Sequence, residues 1–402
     1  MAGMPKPDVS AYRWIILAAI VPIITATEMM WLSLAPISSQ AAGFFKVSDM
    51  NIALFSMSYM IMYIVFAIPA SWVIDRFGFR VSLTIGALLT AVFGIARACS
   101  IHNFSMVLTS QFLIAIGQPF LLNITTKVPA NWFPVSERAT AAGLLTMAQY
   151  VGFALALVLS PMLAARGGIP GVLWAFGLVA VVAALIAIVF TREKPLVPPP
   201  GPVPPQEGFA FTSIKALFRK RAFVLVLIVG FISIGIFNTV LTLLESILAP
   251  RGISSMQAGG AGAVFVLAGV AGAVVLPIIS DKLRRRVPMF VAAIALLGPL
   301  LLGFTYLKDF NLITICAGLA GFFSMGVAPV LFQYGSEVAY PVREGTSLGI
   351  ILLMGQVSGA LFVYLFEILS NVSGSITVPM LCLVVITLLE VPVALQMKES
   401  KL

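Results

Sequence analysis

The chain has 402 residues, 60% of them hydrophobic and 10% charged, with a single histidine. That balance excludes a soluble globular domain, and His102 alone is too little for a metal centre. A net charge of +9 would suit nucleic acid, but the basic residues are distributed as a membrane-topology signal, so no nucleic-acid partner is expected.

The first apolar run extends from Trp14 to about Ile37 and carries Glu28 near its middle, one helical turn from Trp31. An acidic group at a helix centre costs roughly 2.5 to 3.5 kcal/mol on insertion scales, and such groups usually face a bundle interior or a watery cavity. Glu28 is therefore read as lining a central cavity, against the plainer reading of a carboxylate hydrogen-bonded to a neighbouring helix. The run is too long for a signal-peptide core and is expected to stay as the first span. Further runs of spanning length fall at about 51–74, 81–99, 105–127, 139–164, 170–191, 222–247, 257–280, 287–306, 312–335, 345–369 and 377–397. The expected fold is thus an all-α membrane protein of twelve transmembrane helices. With the N-terminus inside, 19 of the 24 Lys and Arg residues fall on the inner side, leaving Lys46, Arg97, Arg166, Arg251 and Lys308 outside. The positive-inside rule then places both termini in the cytoplasm. Cys99, Cys316 and Cys382 lie in or beside apolar segments and imply no disulfide framework.

Between the sixth and seventh spans runs the one long loop, residues 192–221, with seven prolines from Pro195 to Pro205 and a basic finish at Lys215 to Arg221. Proline at that density favours extended geometry, so the segment reads as a semi-rigid cytoplasmic linker. The basic finish reads as an amphipathic surface helix or inner-leaflet anchor. The loop divides the chain into six-helix bundles at 1–191 and 222–402. The halves echo each other: Pro134, Val135, Glu137, Met147, Gln149 and Gly152 recur 207 residues later as Pro341, Val342, Glu344, Met354, Gln356 and Gly359. A second echo relates Asp75-Arg-Phe-Gly-Phe-Arg80 to Asp281-Lys-Leu-Arg-Arg-Arg286. Six plus six with such echoes implies parallel halves related about the membrane normal.

Polar residues inside the spans share helix faces. Gln111 and Gln118 are seven apart, Asn238, Thr242 and Glu245 follow i, i+4, i+7, and Gln356 stands alone mid-helix. Singly, each glutamine suits interhelical glue; together they favour a lined cavity. Gly259, Gly260, Gly262, Gly269 and Gly272 are read as close-packing positions in the eighth span. Arg97 and Lys127 are expected to snorkel from helix ends, Glu245 and Glu367 to approach the outer surface, and Glu390 to reach the inner face. No Lys or Arg falls near the centre of any span, where an anionic substrate would want a cation or a broken helix. The inventory suits a positively charged or polar neutral substrate, with an ammonium over the Trp31 indole and Glu28 as its counter-charge.

At the hinge from Asp75 to Arg80, Gly78 permits a tight turn and Asp75 can cap the next helix or pair with an arginine across the halves. The expected role is gating, shared by Asp75, Arg76, Gly78 and Arg80 with Asp281, Arg284 and Arg285. This run and its echo resemble the cytoplasmic signature of the major facilitator superfamily, which implies two six-helix bundles around a midplane site exposed to each side in turn. A narrower resemblance rests on Arg13-Trp14 with Trp31, on Gln118 ahead of Trp132-Phe133, and on Tyr340-Pro341-Val-Arg-Glu-Gly-Thr-Ser347 leading to Gln356. These look like the feline leukaemia virus subgroup C receptor-related transporters. The resemblance implies a choline site at Trp31, Gln118 and Gln356. Where that family has a second cage aromatic in span seven, this chain has Asn238 beside Phe237, and Glu28 looks like an addition.

The expectation is a monomeric transporter, secondary active or facilitative, that moves a small organic cation such as choline or a related amine. Its substrate would meet Glu28, Trp31, Gln118, Gln149, Phe237, Asn238 and Gln356, with the lipid bilayer as its other partner. Proton-coupled movement of a neutral or anionic metabolite, with Glu28 as proton carrier, and haem transport are the alternatives; protons are then a second partner. A membrane-embedded enzyme would need a nucleophile–base pair or metal ligands, so no catalytic residue, metal or cofactor is expected. A cell membrane, of the bacterial inner-membrane kind, is the expected location.

Overall fold

The computed structural model describes residues 11–195, 215, 217–283, 285–340, 342 and 344–399, and among these all regular elements are helical. In chain order they are α1 (Tyr12–Trp31), α2 (Ser38–Phe45), α3 (Asp49–Phe77), α4 (Phe79–Cys99), α5 (Phe104–Leu122), α6 (Ile124–Trp132) and α7 (Val135–Phe190). There follow α8 (Arg221–Leu248), α9 (Ser255–Leu283), α10 (Val287–Tyr306), α11 (Phe310–Ala339), α12 (Glu344–Ser373) and α13 (Thr377–Ala394). Lipid offers the backbone no hydrogen bonds, so long apolar runs satisfy their own amides as helices. Among the described residues, eleven such helical stretches are long and apolar enough to cross a membrane. One of them, within the 56-residue α7, would be about 84 Å long if straight, nearly three times a hydrocarbon core. Gly168 breaks it with non-helical angles (φ 63°, ψ −167°) that a side chain rarely adopts, so α7 supplies two of the twelve expected passes.

The first span departs from the expected single run to Ile37. Helix α1 stops at Trp31, a short 3-10 turn covers Ala35–Ile37, and α2 carries the apolar stretch on to Phe45. Two local causes produce the break. Pro36 has no N–H to offer the Leu32 carbonyl, and Ser33 turns back to donate from its hydroxyl to the Met30 carbonyl at 3.0 Å.

Contacts divide the chain into two compact units. The first comprises the described residues of Met1–Ser33, Val65–Ala156 and Arg166–Glu207; the second, those of Leu34–Ile64, Leu157–Ala165 and Gly208–Leu402. In the first, α4 and α5 approach so closely that a Cβ on Gly86 would lie 2.8 Å from the Gly117 carbonyl. The second has an apolar core of Phe223, Val226, Phe290, Ile294, Val330 and Ile351 from α8, α10, α11 and α12. In α9, Gly269 and Gly272 meet Met325 and Phe322 of α11, as close packing requires. Gly260, expected to do the same, has open space where its Cβ would be. Most of the proline-rich linker, from residue 196 on, lies outside the described residues, whereas the basic finish is described except at residue 216. Lys220 is described, and its ammonium donates to the Ala339 and Tyr340 carbonyls at the end of α11, where a cation meets the negative end of the helix dipole.

Candidate functional site

The first unit buries Glu28 completely. The Gln118 amide of α5 donates to both carboxylate oxygens, at 2.9 and 3.2 Å, and among the described residues no Lys or Arg pairs with it. The other end of that amide, Gln118 Oε1, is buried with no donor among the described residues. Helix α7 reaches Glu28 through Gly152, where a Cβ would lie 2.7 Å from Glu28 Cβ and 2.6 Å from the Thr25 carbonyl. Only hydrogen fits there. Trp31, 6% exposed, packs edge-on against Phe153, with ring centroids 4.9 Å apart. Gln149 is half-buried one turn before Phe153 on the same helix. Glu28, Trp31 and Gln118 therefore share one neighbourhood, and Phe153 joins them. Phe153, an apolar residue in an apolar run, carries no polar signal in the sequence, although its spacing from Gln149 puts both on one face of α7.

In the second unit the same construction recurs with different chemistry. Gly359, the repeat counterpart of Gly152, packs against Asn238 of α8: a Cβ there would lie 2.5 Å from Asn238 Nδ2 and 2.9 Å from Met60 Sδ. Asn238 is 4% exposed, and its Nδ2 donates to no described residue. Gln356 is half-buried one turn earlier on α12. Phe237 points elsewhere, stacked on Phe265 of α9 at 5.9 Å in apolar surroundings. The second unit also has a cavity of about 610 Å³ lined by Asp49, Arg251, Lys308, Ser246, Ser370 and Thr377 among others, but not by Phe237, Asn238 or Gln356.

Several charges expected at surfaces are buried instead. Arg97 does not snorkel: it is fully buried, with Nη1 donating to Ser33 Oγ at 3.0 Å and to Gln111 Oε1. Gln111 in turn donates to the Met30 carbonyl at 3.1 Å. It is therefore taken up in closing the C-terminal end of α1, where a cation also meets the helix dipole, and does not line a cavity with Gln118. Glu245, 2% exposed, accepts from Ser38 Oγ at 2.5 Å, from the Ser39 amide at 3.2 Å and from Ser39 Oγ at 3.0 Å. It caps α2, which the break in the first span creates; a sequence read as one unbroken helix hides that need. Glu367 is 4% exposed and Glu390 fully buried, so neither reaches the surface expected of it.

Asp75, Arg76, Arg80, Asp281 and Arg285 are exposed and Gly78 is half-buried, and the partners differ from expectation. Gly78 has φ 90° and ψ 167°, a glycine conformation. Asp75 does not cap α4; Glu193 does, accepting from the Phe79 amide at 3.2 Å and the Arg80 amide at 2.8 Å. Asp75 lies 3.8 Å from Lys127, while the Arg76 guanidinium rests beside the Trp72 and Phe77 rings. The second unit repeats the clamp. Glu399 accepts from the Arg286 and Val287 amides at 3.0 and 3.1 Å and so caps α10. Asp281 lies 3.8 Å from Arg286, which also pairs with Glu337, while the Arg285 side chain is exposed. Arg284 lies outside the described residues. Glu193 and Glu399 are 206 residues apart, the same offset that relates Asp75 to Asp281, and this regularity was available in the sequence as a signal.

The Major Facilitator Superfamily model matches residues 9–363. Solute carrier family 49 member A3 of Danio rerio is 31% identical over 390 residues, covering 91% of this chain and 80% of that protein. The choline/ethanolamine transporter FLVCR1 of Felis catus is 28% identical over 383 residues, covering 90% of this chain and 68% of its own. In fold, the chain is similar to a bacterial homolog of the human lysosomal transporter Spinster, inward-facing and occupied: the TM-score is 0.79 at 16% identity, over 97% of this chain and 98% of that one. With its helical architecture and these matches, the chain belongs to the Major Facilitator Superfamily, among the transporters related to the feline leukaemia virus subgroup C receptor.

Proposed function

We propose that this membrane transporter moves a small organic cation of the choline or ethanolamine class by alternating access. The observation that carries this reading is Glu28, a fully buried acid with an amide partner and no cation of its own among the described residues. An unpaired charge in such a place is costly, and a substrate ammonium would relieve it. Trp31 offers an indole face one turn away, worth about 0.5 to 2 kcal/mol to a cation. The orphan Gln118 Oε1 can accept a hydrogen bond from a substrate hydroxyl or ammonium. The relatives named as choline/ethanolamine transporters support the same substrate class.

On this reading Gln149, Asn238 and Gln356 are further substrate contacts, whereas Phe237 is taken up by Phe265 and drops out of the expected set. Residues 1–191 and 222–402 act as the two moving bundles, joined by 192–221, with both termini in the cytoplasm of a cell-membrane protein acting as a monomer. Asp75, Arg76, Gly78 and Arg80 with Asp281, Arg284 and Arg285 form the cytoplasmic gate. Its rigid parts are the helix starts that Glu193 and Glu399 cap.

Binding of radiolabelled choline to the purified protein tests the reading, with choline's uncharged carbon isostere as competitor. Glu28→Gln should weaken choline at least about tenfold, roughly 1.4 kcal/mol, and leave the isostere unaffected. Trp31→Ala should cost about 1 to 3 kcal/mol, and Trp31→Phe less. Equal losses for charged and uncharged ligands would reduce both residues to packing roles.

A further inference from the structure

The second unit holds a buried acid that the substrate site does not use. Glu390, on the last turns of α13, is fully buried. Ser233 Oγ of α8 donates to its Oε1 at 2.6 Å, and its Oε2 is buried with no partner among the described residues. Helix α13 packs against α8, α10 and α12. The ionisable groups these helices bring are Arg221 and Glu245 on α8, Tyr306 on α10, and Tyr364 and Glu367 on α12, besides Glu344, whose side chain is not among those described. Arg221 donates to Gln396, Glu245 is held by Ser38 and Ser39, Tyr306 and Tyr364 are exposed, and Glu367 bears on Asp49. None of the described groups compensates a charge on Glu390.

A lone carboxylate in that position is an uncompensated buried charge, whereas a carboxylic acid is neutral. The hydroxyl of Ser233 is suited to both forms: it donates to a carboxylate and accepts from a protonated acid. We propose that Glu390 and Ser233 form a proton-binding site, separate from Glu28, that is loaded when buried and discharges to water during the transport cycle. On discharge the carboxyl O–H bond breaks, the proton passes to water and the carboxylate keeps the electron pair. Reloading from water on the opposite side reverses the step. Proton binding stands on the α8–α13 contact alone; its coupling to substrate rests on the transport reading above.

Infrared spectroscopy of the purified full-length chain tests the site without any substrate. At neutral pH the wild type should show a buried carboxylic-acid C=O band that Glu390→Gln removes and Ser233→Ala shifts in frequency without abolishing. A spectrum in the acid region unchanged by Glu390→Gln would overturn the proposal. Coupling is read in proteoliposomes loaded with a pH-sensitive dye, with choline as the probe. Choline entry should change the internal pH in the wild type, whereas Glu390→Gln should keep choline exchange and lose the pH signal. A pH signal that survives in Glu390→Gln would overturn coupling at this residue. No choline movement by the wild type would count against the substrate reading, and the infrared result would still decide for or against Glu390.

Discussion

In the first unit Gly152 faces Glu28, and in the second its repeat counterpart Gly359 faces Asn238. Both glycines admit a helix to within contact of a buried polar residue, but the residue is a carboxylate with an amide partner in one case and an amide with an unused N–H in the other. The second unit places its buried acids elsewhere, among them Glu390 against Ser233. The helix starts after the hinges, by contrast, are alike: Glu193 and Glu399 each close one with two backbone N–H bonds. A duplicated scaffold thus keeps its caps, because helix ends have the same unsatisfied amides in either half. Interior side chains face no such uniform demand, and their chemistry diverges.

The sharpest way to break this comparison is at the glycines. Gly152→Ala puts a methyl group against the Thr25 carbonyl and Glu28 Cβ, neither of which can rotate away, and should destabilise by about 1 to 3 kcal/mol. Gly359→Ala has its closest contacts with the ends of the Asn238 and Met60 side chains, which can move, and meets the fixed Asn238 Cβ only at 3.1 Å, so it should cost less. Thermal unfolding of the two variants in detergent decides this, and equal losses would remove the distinction between fixed and movable neighbours.

Next in size, Gln118→Ala should reduce choline affinity by about 1 to 2 kcal/mol, since it also leaves the buried Glu28 carboxylate without its donor. Gln356→Ala should do so by less. Binding isotherms that rank the two the other way would shift the centre of the site to the second half.

The clamps should give matched effects. Glu193→Ala and Glu399→Ala each remove a cap from a helix start, for which about 0.5 to 2 kcal/mol is expected. Choline affinity should hardly change in either variant, and melting curves that respond to only one of the two substitutions would contradict the equivalence of the ends.

The smallest effect is expected at Gly260→Ala. With open space around its Cβ position and a helical backbone, alanine should stabilise by about 0.4 to 1 kcal/mol. Gly272→Ala, which would strike the Phe322 carbonyl, should instead destabilise.

Much of the architecture is legible in the chain alone. Twelve apolar runs, their 207-residue echo and the hinge signature all follow from local composition, because a segment in lipid has few options besides a helix. Glu28 stands out for the same reason, and so does Gln118 as a polar residue inside a span, but the pairing of the two does not. What the tertiary structure decided is which polar residues are used up by their neighbours. Gln111 looked equivalent to Gln118, yet it is held by Arg97 and the Met30 carbonyl. Glu245, Glu367 and Glu390 looked like surface acids, because position along a helix gives depth but not the face that its neighbours cover. The break after Trp31 creates a new helix start, and its Ser39 amide donates to a residue distant in sequence, Glu245. Pairings between distant residues depend on how helices rotate and cross, and that is set by close approaches such as Gly152 on Glu28, which no single segment encodes.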